Sequence, residues 1–154
     1  MELLLSTYLE QTTGGEVIQE GIAHRPDEGF PGRVPDLMVL LPPKSAQIKG
    51  ARFDGVADLI VEVISPDSQH RDRVEKVLEY AQAGVREYWI IDPIRQEALF
   101  YVLAANGVYA MQYPVEGVYT AQVLSGLSVE VAILWREPLP GVMETIALAQ
   151  KTGE

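Results

Sequence analysis

The sequence predicts an α/β fold, in which a central mixed sheet is flanked by helices and followed by additional C-terminal β-hairpins. Three observations support this prediction. The run Ala57–Ile64 is largely apolar on both faces, which is typical of a central strand covered on both sides. A helical pattern over residues 69–83 separates it from a second apolar strand, Glu87–Asp92. From Ala98 onward, short apolar runs alternate with glycine-containing turns, as they do in hairpins.

The N-terminal part is predicted to alternate a helix with strands and loops. Residues 1–12 should be helical because apolar residues recur at the spacing of one helix face, and Gly14 and Gly15 then end the helix. A strand is expected at 16–23, and the segment 24–33, rich in proline and glycine, is expected to be a loop. The apolar residues of the helix face are Leu4, Leu5, Tyr8 and Leu9.

The central part carries the residues of most interest. A strand is expected at 34–41, with Asp36 near its start, and a polar loop with one helical turn at 44–54. In the helix that follows the central strand, Asp67 or Ser68 is expected to be the N-cap. Its apolar stripe is predicted to consist of Val74, Val77, Leu78 and Ala81. One flank carries an i, i+4, i+8 row of Asp72, Lys76 and Tyr80.

The C-terminal half is predicted to be mainly β-structure. Gly84 ends the helix, and Pro93 ends the strand that comes next. Further strands are expected at 99–103, 107–113, 117–123 and 127–134, and a last helix at 141–151. With no internal repeat or linker, residues 1–154 are expected to form a single domain.

The composition limits the chemistry that the chain can use. The chain has 154 residues, 47% of them hydrophobic, which suits one domain with a substantial core. It contains no cysteine, which excludes disulfides and thiolate metal sites, and its two histidines, His24 and His70, make a histidine-rich zinc site a poor expectation. Any metal should therefore be bound by oxygen ligands, which favours Mg²⁺ or Mn²⁺.

The formal net charge of −10 argues against a module that holds nucleic acid statically, because such modules usually present a basic face. Any basic patch must be local. A nuclease is not excluded, because clustered carboxylates in a metal site add negative charge. The candidates for a local patch are Lys44, Lys49 and Arg52 in one loop, and Arg71 and Arg73 at the start of the central helix.

No targeting signal is evident. The N-terminal MELLL is apolar but short and acidic, and it lacks the basic region of a signal peptide. Apolar runs stay well below the length of a membrane span. We expect no membrane association, and a cytoplasmic location is the default.

Four residues are candidates for a site: Asp36, Glu62, Asp72 and Lys76. Asp36 opens one strand and Glu62 lies inside another, so neighbouring strands would allow the two carboxylates to share one divalent cation, with the carbonyl of Val63 as a third ligand. Such a cation polarises a phosphoryl oxygen and lowers the pKa of a bound water. A nearby lysine would stabilise charge in the transition state.

Each of these features also has a purely structural interpretation. An aspartate after proline at a strand start is a common turn feature, and a single glutamate in an apolar strand can face solvent on a half-exposed sheet. Asp72 and Lys76 at i, i+4 can form a surface pair that contributes about 0.3–0.5 kcal/mol. The acids could also form a salt-bridge network without any metal.

Taken together, three segments resemble the Uma-two family of restriction-endonuclease-like proteins, within the PD-(D/E)XK nuclease superfamily. They are PD at 35–36, VEVISPDS at 61–68 and RDRVEKVLEYAQAGVREYWIIDP at 71–93. The resemblance is close over residues 34–93 and looser over the hairpins that follow. It implies a restriction-endonuclease-like central sheet flanked by helices, with a metal-dependent nuclease site at its centre.

The resemblance also implies roles for individual residues. Asp36 matches the first acid of the superfamily and Glu62 the second. The lysine usually found two residues later is replaced by Ile64, and in this family a lysine on the next helix, here Lys76, is thought to substitute for it. Asp72 and Tyr80 match further family positions and would support the site.

The expected function is therefore that of a Mg²⁺- or Mn²⁺-dependent endonuclease that hydrolyses phosphodiester bonds of nucleic acid, with DNA as the first candidate. Family members usually carry a longer N-terminal region, so part of that region is expected to be missing here, which would expose apolar surface and favour a homodimer. The alternative is a catalytically silent module with a nuclease fold that acts through dimerisation or partner binding.

Overall fold

The computed structural model describes residues 1–66 and 71–151. The helices are α1 (Glu2–Gln11), α2 (Lys76–Ala83) and α3 (Val142–Lys151), and a π-helical turn, Arg71–Glu75, leads directly into α2. The strands are β1 (Glu16–Gln19), β2 (Ala23–His24), β3 (Leu37–Leu40), β4 (Ile48–Lys49), β5 (Arg52–Phe53), β6 (Leu59–Val63), β7 (Glu87–Asp92), β8 (Glu97–Leu103), β9 (Tyr109–Gln112), β10 (Val118–Thr120) and β11 (Ser128–Glu130).

The main sheet has six strands in the order β1-β3-β6-β7-β8-β9. β3 is antiparallel to both β1 and β6, β6 is parallel to β7, and β7, β8 and β9 continue antiparallel. The parallel pair β6 and β7 is joined through α2, which is the crossover that such a pair requires. The predicted α/β fold with a mixed sheet flanked by helices is confirmed.

Two small sheets complete the β-structure. One has the order β2-β5-β4, and the other pairs β10 with β11 in antiparallel register. The predicted C-terminal strands thus divide: β8 and β9 extend the main sheet, whereas β10 and β11 form a separate hairpin.

Side chains along the main sheet alternate between two cores, because successive residues of a strand point to opposite faces. In β6, Leu59 and Val61 belong to the core that contains the buried face of α1. Ile60 belongs to the other core, together with Tyr80 of α2. Glu62 follows Ile60 at a spacing of two, and this places it on the face that α2 covers. The predicted buried face of α1 is confirmed at Leu4, Leu5, Tyr8 and Leu9.

The predicted apolar stripe of the central helix is only partly buried: Val77 packs against the core that contains Tyr80, but two other members of the stripe face solvent. Val74 and Leu78, assigned to an apolar stripe, are 47% and 61% exposed, whereas Asp72, Lys76 and Tyr80 are buried. The reason is a polar partner on the sheet: Glu62 lies beneath the helix, where Tyr80 donates a hydrogen bond to it and Lys76 brings a positive charge, which Asp72 also contacts. A count of apolar residues along the helix cannot detect such a partner.

Element ends differ from the predictions by a few residues. The third strand, expected over 34–41, is limited to β3, and the segment 127–134 forms β11 followed by a 3-10 turn, Val131–Trp135. Gly84 ends α2 as predicted, with a φ of 84° that suits glycine. The predicted N-cap residues Asp67 and Ser68, and also His70, lie outside the described residues. In the described part of the chain, no helix combines the length and the apolar character that a membrane crossing needs.

Candidate active site

Glu62 is a carboxylate enclosed between the main sheet and α2. Its side chain is 3% exposed, and its Oε1 atom lies 2.9 Å from the hydroxyl of Tyr80, which donates a hydrogen bond. Burial raises the pKa of Glu62, although Lys76 and Tyr80 act in the opposite direction, and the nearby charge of Asp36 adds to the increase. The interpretation of Glu62 as a solvent-facing residue is therefore wrong.

Lys76 is the cation that accompanies Glu62. Its Nζ atom lies 2.8 Å from Oε1 of Glu62 and 2.7 Å from Oδ1 of Asp72. Because all three side chains are buried, the interpretation of Asp72 and Lys76 as a surface pair is also wrong. An ammonium in this position partly compensates two carboxylates at once.

Asp36 reaches the same sheet face from the neighbouring strand. β3 and β6 pair Leu37 with Val61, so Asp36 and Glu62 are the next opposed positions of this antiparallel ladder. Oδ2 of Asp36 accepts a hydrogen bond of 2.6 Å from the backbone N–H of Val63. The structure thus brings together Asp36, Glu62, Val63, Asp72, Lys76 and Tyr80, the full set of residues that the sequence predicted.

Tyr88 belongs to this group and was not predicted. Its hydroxyl donates a 3.0 Å hydrogen bond to the backbone carbonyl of Asp72, and its ring contacts that of Tyr80 edge-on at 5.0 Å. The alternation of β7 was the available signal, since Tyr88 and Ile90 share the face that α2 covers. Tyr88 ties the π-helical turn to the sheet.

A further histidine lies behind the tyrosines. His24 is fully buried, and the centre of its ring lies 5.9 Å from the ring centre of Tyr80 and 6.1 Å from that of Phe53. Burial lowers its pKa to about 4, so His24 is neutral at pH 7. His24 is a packing residue in an aromatic cluster and adds no charge to the site.

The oxygen donors at this point of the sheet fit a hard divalent cation. The described contacts of Glu62 all involve its Oε1 atom, and the described contact of Asp36 involves its Oδ2 atom. The second oxygen of each carboxylate has no described contact. Mg²⁺ is typically held by one or two carboxylates and several waters. Within residues 1–66 and 71–151, no group of three or more His, Cys, Asp or Glu side chains is arranged to hold an ion. The fit thus rests on the two carboxylates.

The basic residues of the predicted local patches form ion pairs with nearby acidic residues. Lys44 lies 2.8 Å from Asp58, and Lys49 and Arg52 both pair with Asp54. Arg73 pairs with Asp92 and Glu97, each at 2.7 Å, while the side chain of Arg71 lies outside the described part. Each of the described cations, Lys44, Lys49, Arg52 and Arg73, thus already has an acidic partner.

The fold is that of the restriction-endonuclease-like α/β proteins. A family model described as "Uma2: Putative restriction endonuclease" matches residues 2–133. The chain belongs to this family. Among solved structures, the chain is similar to the crystal structure of "a putative nuclease belonging to DUF820" from Anabaena variabilis. The two share 14% identity and a TM-score of 0.62, over 96% of this chain and 76% of the other, and this similarity supports the fold. The search of curated proteins gave no significant match.

Proposed function

We propose that this protein is a divalent-metal-dependent endonuclease that cleaves phosphodiester bonds of nucleic acid, with DNA as its substrate. One observation carries the proposal: Asp36 directly precedes β3 and, by the register of β3 with β6, is opposite Glu62, which Lys76 contacts at 2.8 Å. Membership of the restriction endonuclease family supports the same conclusion.

In this proposal, Asp36 and Glu62 would hold Mg²⁺ or Mn²⁺, with the carbonyl of Val63 as a third ligand. When bound, the cation would polarise a phosphoryl oxygen and generate a nucleophilic water. Lys76 places a positive charge beside the carboxylates, where it can stabilise negative charge that develops on the phosphate. Tyr80 orients the Glu62 carboxylate through its hydrogen bond.

The charges of the cluster agree with one divalent cation. The cluster contains three carboxylates, those of Asp36, Glu62 and Asp72, and a single ammonium, that of Lys76, which contacts Glu62 and Asp72. The ionised cluster therefore carries two uncompensated negative charges, which is costly where side chains are buried. A single divalent cation would neutralise them, so that the cluster would no longer repel a phosphate.

The test combines metal binding with cleavage. Isothermal titration of Mn²⁺ should give one site in the wild type, and Asp36→Asn or Glu62→Gln should weaken binding at least tenfold. Supercoiled plasmid, linear duplex, single-stranded DNA and RNA, each with Mg²⁺ or Mn²⁺, should reveal cleavage that Lys76→Met abolishes. Wild-type protein that binds no metal would reject the metal-dependent function, and cleavage of RNA alone would reject DNA as the substrate.

The alternative is a catalytically silent nuclease fold that acts through dimerisation or partner binding. The ion pairs that occupy the basic candidates favour it, because they leave those cations unavailable to phosphates. A wild type that binds Mn²⁺ but cleaves none of the four substrates would support this alternative. Cleavage that Lys76→Met abolishes would reject it.

Either function is compatible with a homodimer, which we propose to form through the β9 edge of the main sheet. Residues 98–115 contain no charged residue, although the chain has a net charge of −10. Edge strands are usually protected by charge, and here Met111 and Tyr113 are exposed instead. Because a net charge of −10 makes two copies repel each other, an uncharged edge is a surface at which they can approach.

Light scattering coupled to size exclusion should report a mass near twice that of the chain. Met111→Lys should shift the population to monomer, whereas Leu139→Lys, an exposed apolar residue outside this edge, should not. A monomeric wild type would contradict the dimer and leave the nuclease proposal standing. Two further predictions stay predictions: that the protein is located in the cytoplasm, and that the chain forms a single nuclease-like domain.

A further inference from the structure

Lys76 is shared between two carboxylates that have different proposed tasks. Its Nζ atom lies 2.8 Å from Oε1 of Glu62, a proposed metal ligand, and 2.7 Å from Oδ1 of Asp72, which is not among the proposed ligands. Asp72 lies one helical turn before Lys76 and is 2% exposed. The ammonium therefore has two carboxylate oxygens at similar distances, although Oδ1 of Asp72 does not yet accept a hydrogen bond from it.

An ammonium and a divalent cation compete for the same carboxylate. A cation coordinates carboxylate oxygen at about 2.1 Å, so an ammonium on the same group would lie within a few ångströms of it. At that separation two positive charges repel strongly where water is largely excluded. A cation on Glu62 therefore favours displacement of Lys76 toward another acceptor.

We propose that Asp72 is the positioning residue that receives Lys76 when a divalent cation engages Glu62. Metal binding is then coupled to a handover of the ammonium from Glu62 to Asp72. The handover keeps the lysine beside the site and available to the phosphate, while it moves the ammonium away from the metal on Glu62. This inference rests on the proposed function.

Asp72 is built into the fold as a fixed acceptor. Tyr88, a fully buried residue of β7, donates a 3.0 Å hydrogen bond to the backbone carbonyl of Asp72. The next residue, Arg73, pairs with Asp92 at the end of the same strand. Two contacts thus anchor the π-helical turn to β7, so Asp72 can hold its place while the longer lysine side chain moves between acceptors.

A double-mutant cycle read by Mn²⁺ binding tests the handover without any cleavage assay. Isothermal titrations at pH 8 are compared for the wild type, Asp72→Asn, Lys76→Met and the double variant, each checked for folding by circular dichroism. In the wild-type background, Asp72→Asn should weaken Mn²⁺ binding about tenfold, because Lys76 then stays on Glu62. In the Lys76→Met background, the same change should lower Mn²⁺ affinity by less than about threefold, because only the loss of one negative charge then acts on the metal. Asp72→Glu should restore most of the affinity.

Equal weakening by Asp72→Asn in both backgrounds would overturn the handover, since Asp72 would then act independently of Lys76. Should Asp72→Asn fail to fold, Tyr88→Phe leaves every charge in place and removes only the anchor of the turn. Tyr88→Phe should weaken Mn²⁺ binding about threefold when Lys76 is present, and it should have no effect in the Lys76→Met background. A wild type that binds no Mn²⁺ would reject the proposed metal site and the handover together, whereas normal binding by Asp72→Asn would reject the handover alone.

Discussion

The ammonium of Lys76 lies 2.8 Å from Oε1 of Glu62, and both groups are almost entirely removed from solvent. The two residues belong to consecutive elements, β6 and α2, so their contact attaches the helix to the centre of the sheet. A hydrophobic contact could attach the helix equally well. The charged pair is therefore the feature of this interface that packing alone does not explain.

Removal of one partner of this pair should be costly. Lys76→Met leaves the carboxylates of Glu62 and Asp72 buried without their cation, and we expect a loss of about 3 kcal/mol in the free energy of unfolding at pH 7. Glu62→Gln in the same background should recover part of the loss. Urea unfolding of the two single variants and the double variant measures the coupling. A Lys76→Met variant within about 0.5 kcal/mol of the wild type would contradict this view of the pair.

Glu87 provides a contrasting buried carboxylate on the opposite face of the sheet. Its Oε1 accepts from the indole N–H of Trp89 at 2.8 Å and from the hydroxyl of Tyr119, and its Oε2 accepts from the backbone N–H groups of Gln122 and Val123. This carboxylate is satisfied by donors of the fold alone. Glu87→Gln would turn an amide N–H₂ toward donors and should cost about 2 kcal/mol in thermal or urea unfolding.

Glu87→Gln is also the matched control for Glu62→Gln in the metal-binding measurement. Mn²⁺ affinity of Glu87→Gln should equal that of the wild type, whereas Glu62→Gln should lose it. Loss of metal binding in both would mean that general destabilisation, rather than ligation by Glu62, explains the effect.

His24 should make the protein sensitive to mild acid. Burial lowers its pKa to about 4, from an ordinary value of about 6.5. Between pH 4 and pH 6.5, the unfolded chain therefore binds a proton at His24 more readily than the folded protein does. The free energy of unfolding should therefore be highest above pH 6.5 and fall by up to about 3 kcal/mol as the pH approaches 4.

His24→Gln isolates this contribution. The raised pKa of Glu62 has the opposite sign, because the folded state then holds its proton more tightly, and it is present in both proteins. The difference in urea midpoint between wild type and His24→Gln, followed from pH 7 to pH 4, should narrow or reverse as the pH falls. A constant difference would show that His24 does not titrate in this range.

Leu78 tests which face of α2 is buried. It is 61% exposed, so Leu78→Lys should change the free energy of unfolding by no more than about 0.5 kcal/mol. On the sequence-based assignment of the apolar stripe, the same change would bury a charge and cost several kcal/mol. Tyr80→Ala, on the buried face, should cost about 3 kcal/mol and serves as the positive control.

Much of the fold could be predicted because its signals are local. The face of α1 repeats at helical spacing, the both-sided apolar run at Ala57–Ile64 contains β6, and Gly84 ends α2 with a positive φ. These patterns depend only on residues close in sequence. The lengths of β3 and β11 were overestimated, because a strand ends where its pairing with a neighbour ends, and the apolar pattern of one segment does not show that point.

The sequence by itself determined the fold class, and the residues that it singled out lie close together in the structure: Asp36, Glu62, Val63, Asp72, Lys76 and Tyr80. Only the tertiary structure decided their relations. The register of β3 against β6 puts Asp36 opposite Glu62, and the orientation of α2 turns Lys76 rather than Leu78 toward the sheet. A buried carboxylate stabilises whichever helix face brings it a counter-charge, and the apolar pattern of the helix alone does not show which face that is.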